Sequence, residues 1–192
     1  MRIYTASFGG YEGEYKGADL RFSEDNNPFS GCEDHLSNRM KAKLYKVLNP
    51  YSYDVWVDAN MEILNSSGFK KLMGDSDLAV FRHPFHKNVG EEIEACHAKG
   101  LLDNVSRQRV EELYKSASLN ISKVPLYACG VLFRSEGCRK LNELWWSLIC
   151  LYGSRDQITF PYALSMYNSL KVHIIEYDIF DNPYFLVHQH KK

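Results

Sequence analysis

The chain alternates between two periods of hydrophobic and polar positions. Arg2 to Ser7 alternates residue by residue, which predicts a first strand, closed by a turn at Gly9–Gly10. Asp19 to Phe22 predicts a second strand, ending in Ser23, Glu24 and Asp25. A 3.6-residue period then predicts a helix over Asn38 to Leu48, capped by Asp34 or Ser37 and ended by Asn49–Pro50. Tyr53 to Val57 reads as a short buried strand, β-branched and aromatic. A short helix to Met73, capped by Ser66 or Ser67, leads into the apolar strand Asp77 to Phe81, which Pro84 stops. Helices over Glu91–Lys99 and Ser106–Ser116 precede a strand from Leu126 to Phe133. That strand carries Gly130, and an interior glycine marks a bulge or a close approach. Helices over Asn142–Tyr152 and Asp156–Leu170, a strand over Lys171–Glu176 and an extended tail from Phe185 complete the chain. Strands alternating with helices predict an α/β protein with a mostly parallel central sheet, residues 1–192 forming one domain.

The stretch from Tyr53 to Ile63 organises the chemistry. A buried strand runs straight into Asp58, Ala59 and Asn60, and open α/β sheets bind ligands beyond the carboxyl ends of their strands. Asp58 and Asn60 are two apart, so in extended geometry they share a face. Two oxygen donors there suit Mg²⁺ or Mn²⁺, although Asp and Asn are equally ordinary turn formers. Three further groups compete for a role. His188 and His190 are again two apart and offer a third metal ligand, or are simply a tail. Arg155, Asp156 and Gln157 open a helix, where local evidence favours Asp156 as a cap. Cations gather at Arg82, His83, His86 and Lys87, and on one helix face at Arg39, Lys43 and Lys46. Either set could hold a diphosphate or be plain solvated surface. Cys129 reads as a small core residue. There is no P-loop, no serine or cysteine elbow, and no full Gly-x-Gly-x-x-Gly after the first strand.

Composition narrows the classes. With 23 basic against 24 acidic residues, net charge −1, the chain lacks the basic excess of a nucleic-acid binder. Thirteen tyrosines and three tryptophans suit sugar or base pockets, and suit core and rim equally well. The five cysteines are odd in number and never spaced Cys-x-x-Cys, which argues against a disulfide scaffold and for a reducing compartment. The amino terminus lacks a signal-peptide pattern and no apolar run is long enough to form a transmembrane segment. The expected location is cytoplasmic, the host cytoplasm if the chain is viral.

Taken together, IYTASFGGYE, FSED, NRMKAKLYKVL, YDVWVDAN, RHPFHKNVGEEIEAC, LYACGVLFRS, NELWW and GSRDQITFPYAL resemble nucleotide-sugar glycosyltransferases of the GT-A (Rossmann-like) fold. The resembling family was long classed as a domain of unknown function and has plant mucilage-related and bacterial capsule-related members. A glycosyltransferase domain of chlorella viruses is of the same size and type. The resemblance spans nearly the whole chain and implies a UDP-sugar donor, a glycan or other hydroxyl acceptor, and Mn²⁺ or Mg²⁺. It implies that Thr5, Ala6 and Phe8 line the uridine pocket with the Glu24 region. Asp58 would touch ribose or metal, Asn60 would ligate the metal, and His190, or else His188, would complete its shell. Arg39, Lys43 and Arg82 would hold phosphates or shape the donor site, with Ala59 beside them. Cys129 and Gly130 would lie beside the sugar. Asp156 and Gln157 would be the catalytic pair, the Gln157 amide lying by the anomeric carbon. The implied transfer retains anomeric configuration; an inverting route would use Asp156 or Glu92 as general base. Two departures from the family pattern stand out. Asn60 replaces an aspartate, and Cys129 replaces a polar residue. The first of these also motivates a rival reading, a nucleotide-sugar-binding module without transfer activity.

Overall fold

A computed structural model of the chain describes residues 1–9, 17–27, 36–48, 54–153 and 155–189. The elements follow in the order β1 (Arg2–Ala6), β2 (Leu20–Phe22), α1 (Asn38–Val47), β3 (Asp54–Val57), β4 (Met61–Ile63) and α2 (Phe69–Met73). Next come β5 (Leu78–Arg82), α3 (Val89–Ala98), α4 (Asn104–Ser116), β6 (Tyr127–Arg134) and α5 (Arg139–Tyr152), and then α6 (Asp156–Ser165), β7 (Val172–Ile175) and β8 (Phe185–Val187). Six strands form the central sheet in the order β2-β1-β3-β6-β5-β7. β2, β1 and β3 are mutually parallel, as are β5 and β7, while β6 runs antiparallel to both its neighbours. The expected class, a mostly parallel sheet flanked by helices, is therefore what the chain forms.

Period-two alternation assigns side chains to the two faces. Trp56, Tyr4, Val80 and Leu132 face α1, α5 and α6, where Trp145 and Phe160 fill the core. Val55, Val57, Phe81 and Phe133 face the other way, toward α2, with Phe69 and Phe185. Each fully buried side chain of this size contributes roughly 1.5–3 kcal/mol. A third cluster joins α3 and α4 through Val89, Ile93, Val110 and Tyr114 to Ile158 of α6.

The helix starts follow local chemistry. Ser37 caps α1, its hydroxyl accepting from Met40 N at 3.3 Å, and the alternative cap, Asp34, lies outside the described residues, as do Tyr53 and Asn49–Pro50. Asn88 and Asp103 cap α3 and α4 through Glu91 N at 3.0 Å and Ser106 N at 2.7 Å. α2 departs from expectation: Gly68 stands at its cap without a side-chain bond, because Ser67 Oγ is spent on Asn65 Oδ1 at 2.6 Å. α6 stops at Ser165 rather than Leu170. There the Ser165 hydroxyl bonds Tyr162 O at 2.7 Å, and turns at Met166, Tyr167 and Leu170 carry the chain to β7. Periodicity also missed β4, whose three residues pair antiparallel with β8 in a separate ribbon. A strand this short has too few positions to show a period. No helix among the described residues is long and apolar enough to cross a membrane.

Candidate active site

Because β6 is reversed, its amino end meets the carboxyl ends of β1, β3 and β5 at one edge of the sheet. The β5–β6 register slips between Val80 and Phe81: Val80 pairs with Leu132, but Phe81 pairs with Ala128. Cys129, Gly130 and Val131 thus bulge out of that ladder, at the point where β3 ends. Asp58 N donates to Gly130 O at 2.8 Å, and Met61 N donates to Asp58 O at 2.9 Å, which turns the chain sharply after β3. The glycine predicted to mark a bulge or a close approach marks the bulge. A Cβ on Gly130 would lie 3.4 Å from Asp58 Oδ2.

The Asp58 carboxylate is held on one side only. Its Oδ1 accepts from Trp56 Nε1 at 2.7 Å, the same-face i, i+2 relation that strand geometry imposes. Lys46 Nζ lies 3.0 Å from the same oxygen and 5.6 Å from the Trp56 ring centroid. Oδ2 carries no hydrogen bond among the described residues, and the side chain is 37% exposed. Lys46 reaches further, to Asp156 Oδ2 at 2.9 Å, while Lys43 takes Asp156 Oδ1 at 2.9 Å. Two lysines one turn apart on α1 therefore tie the end of β3 to the start of α6.

Asp156 is not the cap that local reading favours. Arg155 holds the cap position, without a side-chain cap bond, and Asp156 is the first helical residue. Its carboxylate is turned onto the lysines, and its backbone oxygen accepts from Trp145 Nε1 at 3.1 Å. Burial alone would raise its pKa, but Lys43 and Lys46 override that and hold the carboxyl far below the usual range. For Lys46, burial works against the charge, and Asp156 and Asp58 more than restore it, so its pKa is raised. For Lys43 burial wins, and its pKa is lowered despite Asp156. Two lysines and two carboxylates leave the cluster close to neutral.

The other expected site residues fall at varied distances from this cluster. Cys129 and Ala59 are buried next to it. Burial, and then the Asp156 charge, push the Cys129 thiol well above its ordinary value. Gln157 is half-buried at the start of α6, and its amide has no hydrogen-bond partner among the described residues. Arg39 is exposed one turn before Lys43, and Arg82 is exposed at the end of β5. Thr5 faces the other side of the sheet from Ala6 and Phe8. Ala6 and Phe8 lie in the core with Phe22 and Tyr45, the Phe8 ring stacked on Tyr45 at 5.4 Å. Thr5 lines a small cavity on the opposite face with Ala18, Val57, Ala59 and Met61. Glu24 does close onto this region, accepting from Gly9 N at 2.5 Å where Gly9 has φ +73°.

Mn²⁺ or Mg²⁺ would find here one carboxylate oxygen, Asp58 Oδ2, over a bare glycine. Asn60 is buried and its Nδ2 donates to His188 O at 3.1 Å, leaving Oδ1 as a donor. His188 N donates back to Asn60 O at 2.8 Å, and the His188 imidazole contacts Glu62 Oε2 at 3.1 Å. His190 lies outside the described residues. Asp58 Oδ2 suits a hard cation that draws most of its shell from phosphate and water, but residues 58–60 form a turn and not the extended strand that would set Asp58 and Asn60 on one face.

In the sequence Lys46 is one of three cations on a helix face. The signal, basic residues at i, i+4 and i+7, was present, but solvated helix faces carry it too. What separates the cases is burial: the Lys46 side chain is 8% exposed. Glu92, weighed as a base, is likewise already engaged. His86 Nδ1 lies 2.6 Å from Oε2, and Cys96 Sγ and an Arg155 guanidinium nitrogen lie 3.2 and 3.5 Å from Oε1.

The fold and site together define an α/β protein with an acid–lysine cluster at the ligand edge of a mostly parallel sheet. No family model matches the chain, and no curated protein does. Among solved structures it is similar to mouse xyloside xylosyltransferase 1 in its apo form, at 11% identity and TM-score 0.37, over 70% of this chain and 50% of that one. It is also similar to a glycosyltransferase involved in the glycosylation of the major capsid of PBCV-1. That match has 11% identity and TM-score 0.40, over 91% of this chain and 81% of that one. The chain thus spans half the length of the xylosyltransferase. At such scores these likenesses assign no activity.

Proposed function

We propose that residues 1–192 are a glycosyltransferase domain that moves a hexose or deoxyhexose from a UDP-sugar to a glycan or other hydroxyl acceptor, with Mn²⁺ or Mg²⁺. The observation that carries this reading is the Asp58–Lys46–Asp156–Lys43 cluster at the carboxyl edge, placed where the sequence motifs resemble those of GT-A enzymes. Asp58, with Asn60, would hold the divalent ion, which would supply positive charge to the departing diphosphate. Arg39 and Arg82, exposed on either side, add cations that reach phosphate oxygens. Bare Gly130 leaves room for the sugar beside Asp58.

Retention is supported by the state of the acids. A carboxylate fixed by two lysines and held far below the usual range is a poor proton acceptor, so Asp156 suits positioning rather than general base catalysis. Glu92 is also held below its ordinary value: burial opposes this, but bonds from Cys96 and His86 lower it. With neither acid basic, the acceptor proton passes to a phosphate oxygen on the leaving-group face, and Gln157 lies beside the anomeric carbon.

Calorimetric titration with UDP, in Mn²⁺ and then in EDTA, tests the reading. The expected result is binding that needs the metal and weakens at least about tenfold, about 1.4 kcal/mol, in Asp58→Ala with an unchanged circular-dichroism spectrum. Affinity that ignores both EDTA and Asp58→Ala removes Asp58 from the donor site. Tight UDP binding with no hydrolysis or transfer of any UDP-sugar over hours points to the binding-module alternative.

A further inference from the structure

We propose that His83, His86 and Glu92 form a second cation site, separate from Asp58, that takes a zinc-class ion and pins the segment after β5 to helix α3. Ring nitrogens of both histidines and a carboxylate oxygen of Glu92 all lie within 4.8 Å of one another. Among the described residues no other group of three histidine, cysteine or acidic side chains comes so close.

Local geometry builds the cluster from two directions. The chain leaves β5 at Arg82 and folds back on itself, so that His86 N donates to His83 Nδ1 at 3.0 Å. The two rings lie nearly parallel, 15° apart, with centroids 5.1 Å from each other. Asn88 then caps α3 and turns Glu92, in the helix's first turn, inward. The Glu92 carboxylate is oriented by Cys96 Sγ and Arg155 on Oε1, which leaves Oε2 facing His86 Nδ1 at 2.6 Å. An outer contact that fixes one carboxylate oxygen and presents the other is the usual support of a metal ligand.

Two imidazoles and one carboxylate match Zn²⁺ and its neighbours in the transition series. The all-oxygen donors at Asp58 and Asn60 match harder ions. The hydrogen bond between His86 Nδ1 and Glu92 Oε2 occupies the place the ion would take, and an ion bound at Nδ1 would require the ring's other tautomer. Metal–nitrogen bonds of about 2.0–2.1 Å require the three donors to close in. The Arg155 guanidinium opposes the ion without ligating it. This site depends on no part of the glycosyl-transfer reading.

The test is zinc uptake by the intact chain, stripped with EDTA and dialysed against micromolar Zn²⁺. We expect one tightly held equivalent, lost with about a 100-fold or greater fall in affinity in His86→Gln and in Glu92→Gln, and kept in Asp58→Asn. Imidazole ¹⁵N spectra of the wild-type chain give the same answer without variants. Zinc should shift the ring nitrogens of two of the seven histidines, assigned to His83 and His86. Zinc uptake in the wild type no greater than in the His83→Gln/His86→Gln double variant would overturn the site, as would shifts confined to other histidines.

Discussion

Lys46 is the residue on which the site's electrostatics turn. One ammonium serves two carboxylates from distant parts of the chain, and it also lies over the Trp56 ring. Removing one partner of a buried ion pair leaves charge without compensation, so Lys46→Met should destabilise the fold by about 3–5 kcal/mol in urea unfolding. A loss under about 1 kcal/mol would mean that Asp156 is satisfied by Lys43 alone. The pH dependence follows from Asp156. The unfolded chain takes up that proton near pH 4, roughly, whereas the folded carboxyl, held down by Lys43 and Lys46, takes it up only at much lower pH. The unfolded state binds more protons in that window. The stabilisation is therefore complete above about pH 4 and is lost as pH falls below it. Urea midpoints measured from about pH 5 down to about pH 3 should fall for the wild type and fall less steeply for Asp156→Asn.

Among the elements, β6 decides the shape of the site. Its reversed direction brings an amino end to the ligand edge, and its bulge at Cys129–Val131 lifts Gly130 against Asp58. The space a methyl would occupy there is ordinary contact distance, with Asp58 Oδ2 at 3.4 Å and Met61 Sδ at 3.5 Å. Gly130→Ala should accordingly change stability by no more than about 1 kcal/mol. It should nonetheless weaken UDP-sugar binding about tenfold or more, because the methyl sits over the free oxygen of Asp58. Wild-type donor affinity in a stably folded Gly130→Ala chain would place the sugar elsewhere. α1 contributes in a different way: packed on the sheet, it turns Lys43 and Lys46 inward and leaves Arg39 in solvent.

For the molecule as a whole, a buried arginine joins the layers beneath the site. Arg134, near the far end of β6, donates to Lys46 O at 2.6 Å, Val47 O at 3.4 Å, Asn142 Oδ1 at 3.1 Å and the Tyr4 hydroxyl. It thereby closes the carboxyl end of α1 onto β1, β6 and α5, and so holds the backbone that carries Lys46. Arg134→Met would take the Arg134 donor from Val47 O and Asn142 Oδ1, at about 1–3 kcal/mol for each unsatisfied group, while Lys46 O keeps the Tyr4 hydroxyl at 3.2 Å. Its thermal unfolding should shift down and its donor affinity should fall with it. Full donor affinity in the variant would uncouple this girder from the site. The hydrophobic periods, the helix cap at Ser37, the glycine in β6 and the Asp58 strand end are local properties. Each depends on residues within a few positions, and each was legible in the sequence. The reversed direction of β6 and the β4–β8 ribbon were not, because periodicity carries no direction or partner. Nor were the lysine bridge from α1 to α6 and the His83–His86–Glu92 cluster. A charged face on a helix looks the same in solvent or in the core, and only packing 110 or more residues away along the chain, Lys46 and Lys43 onto Asp156, makes it a site.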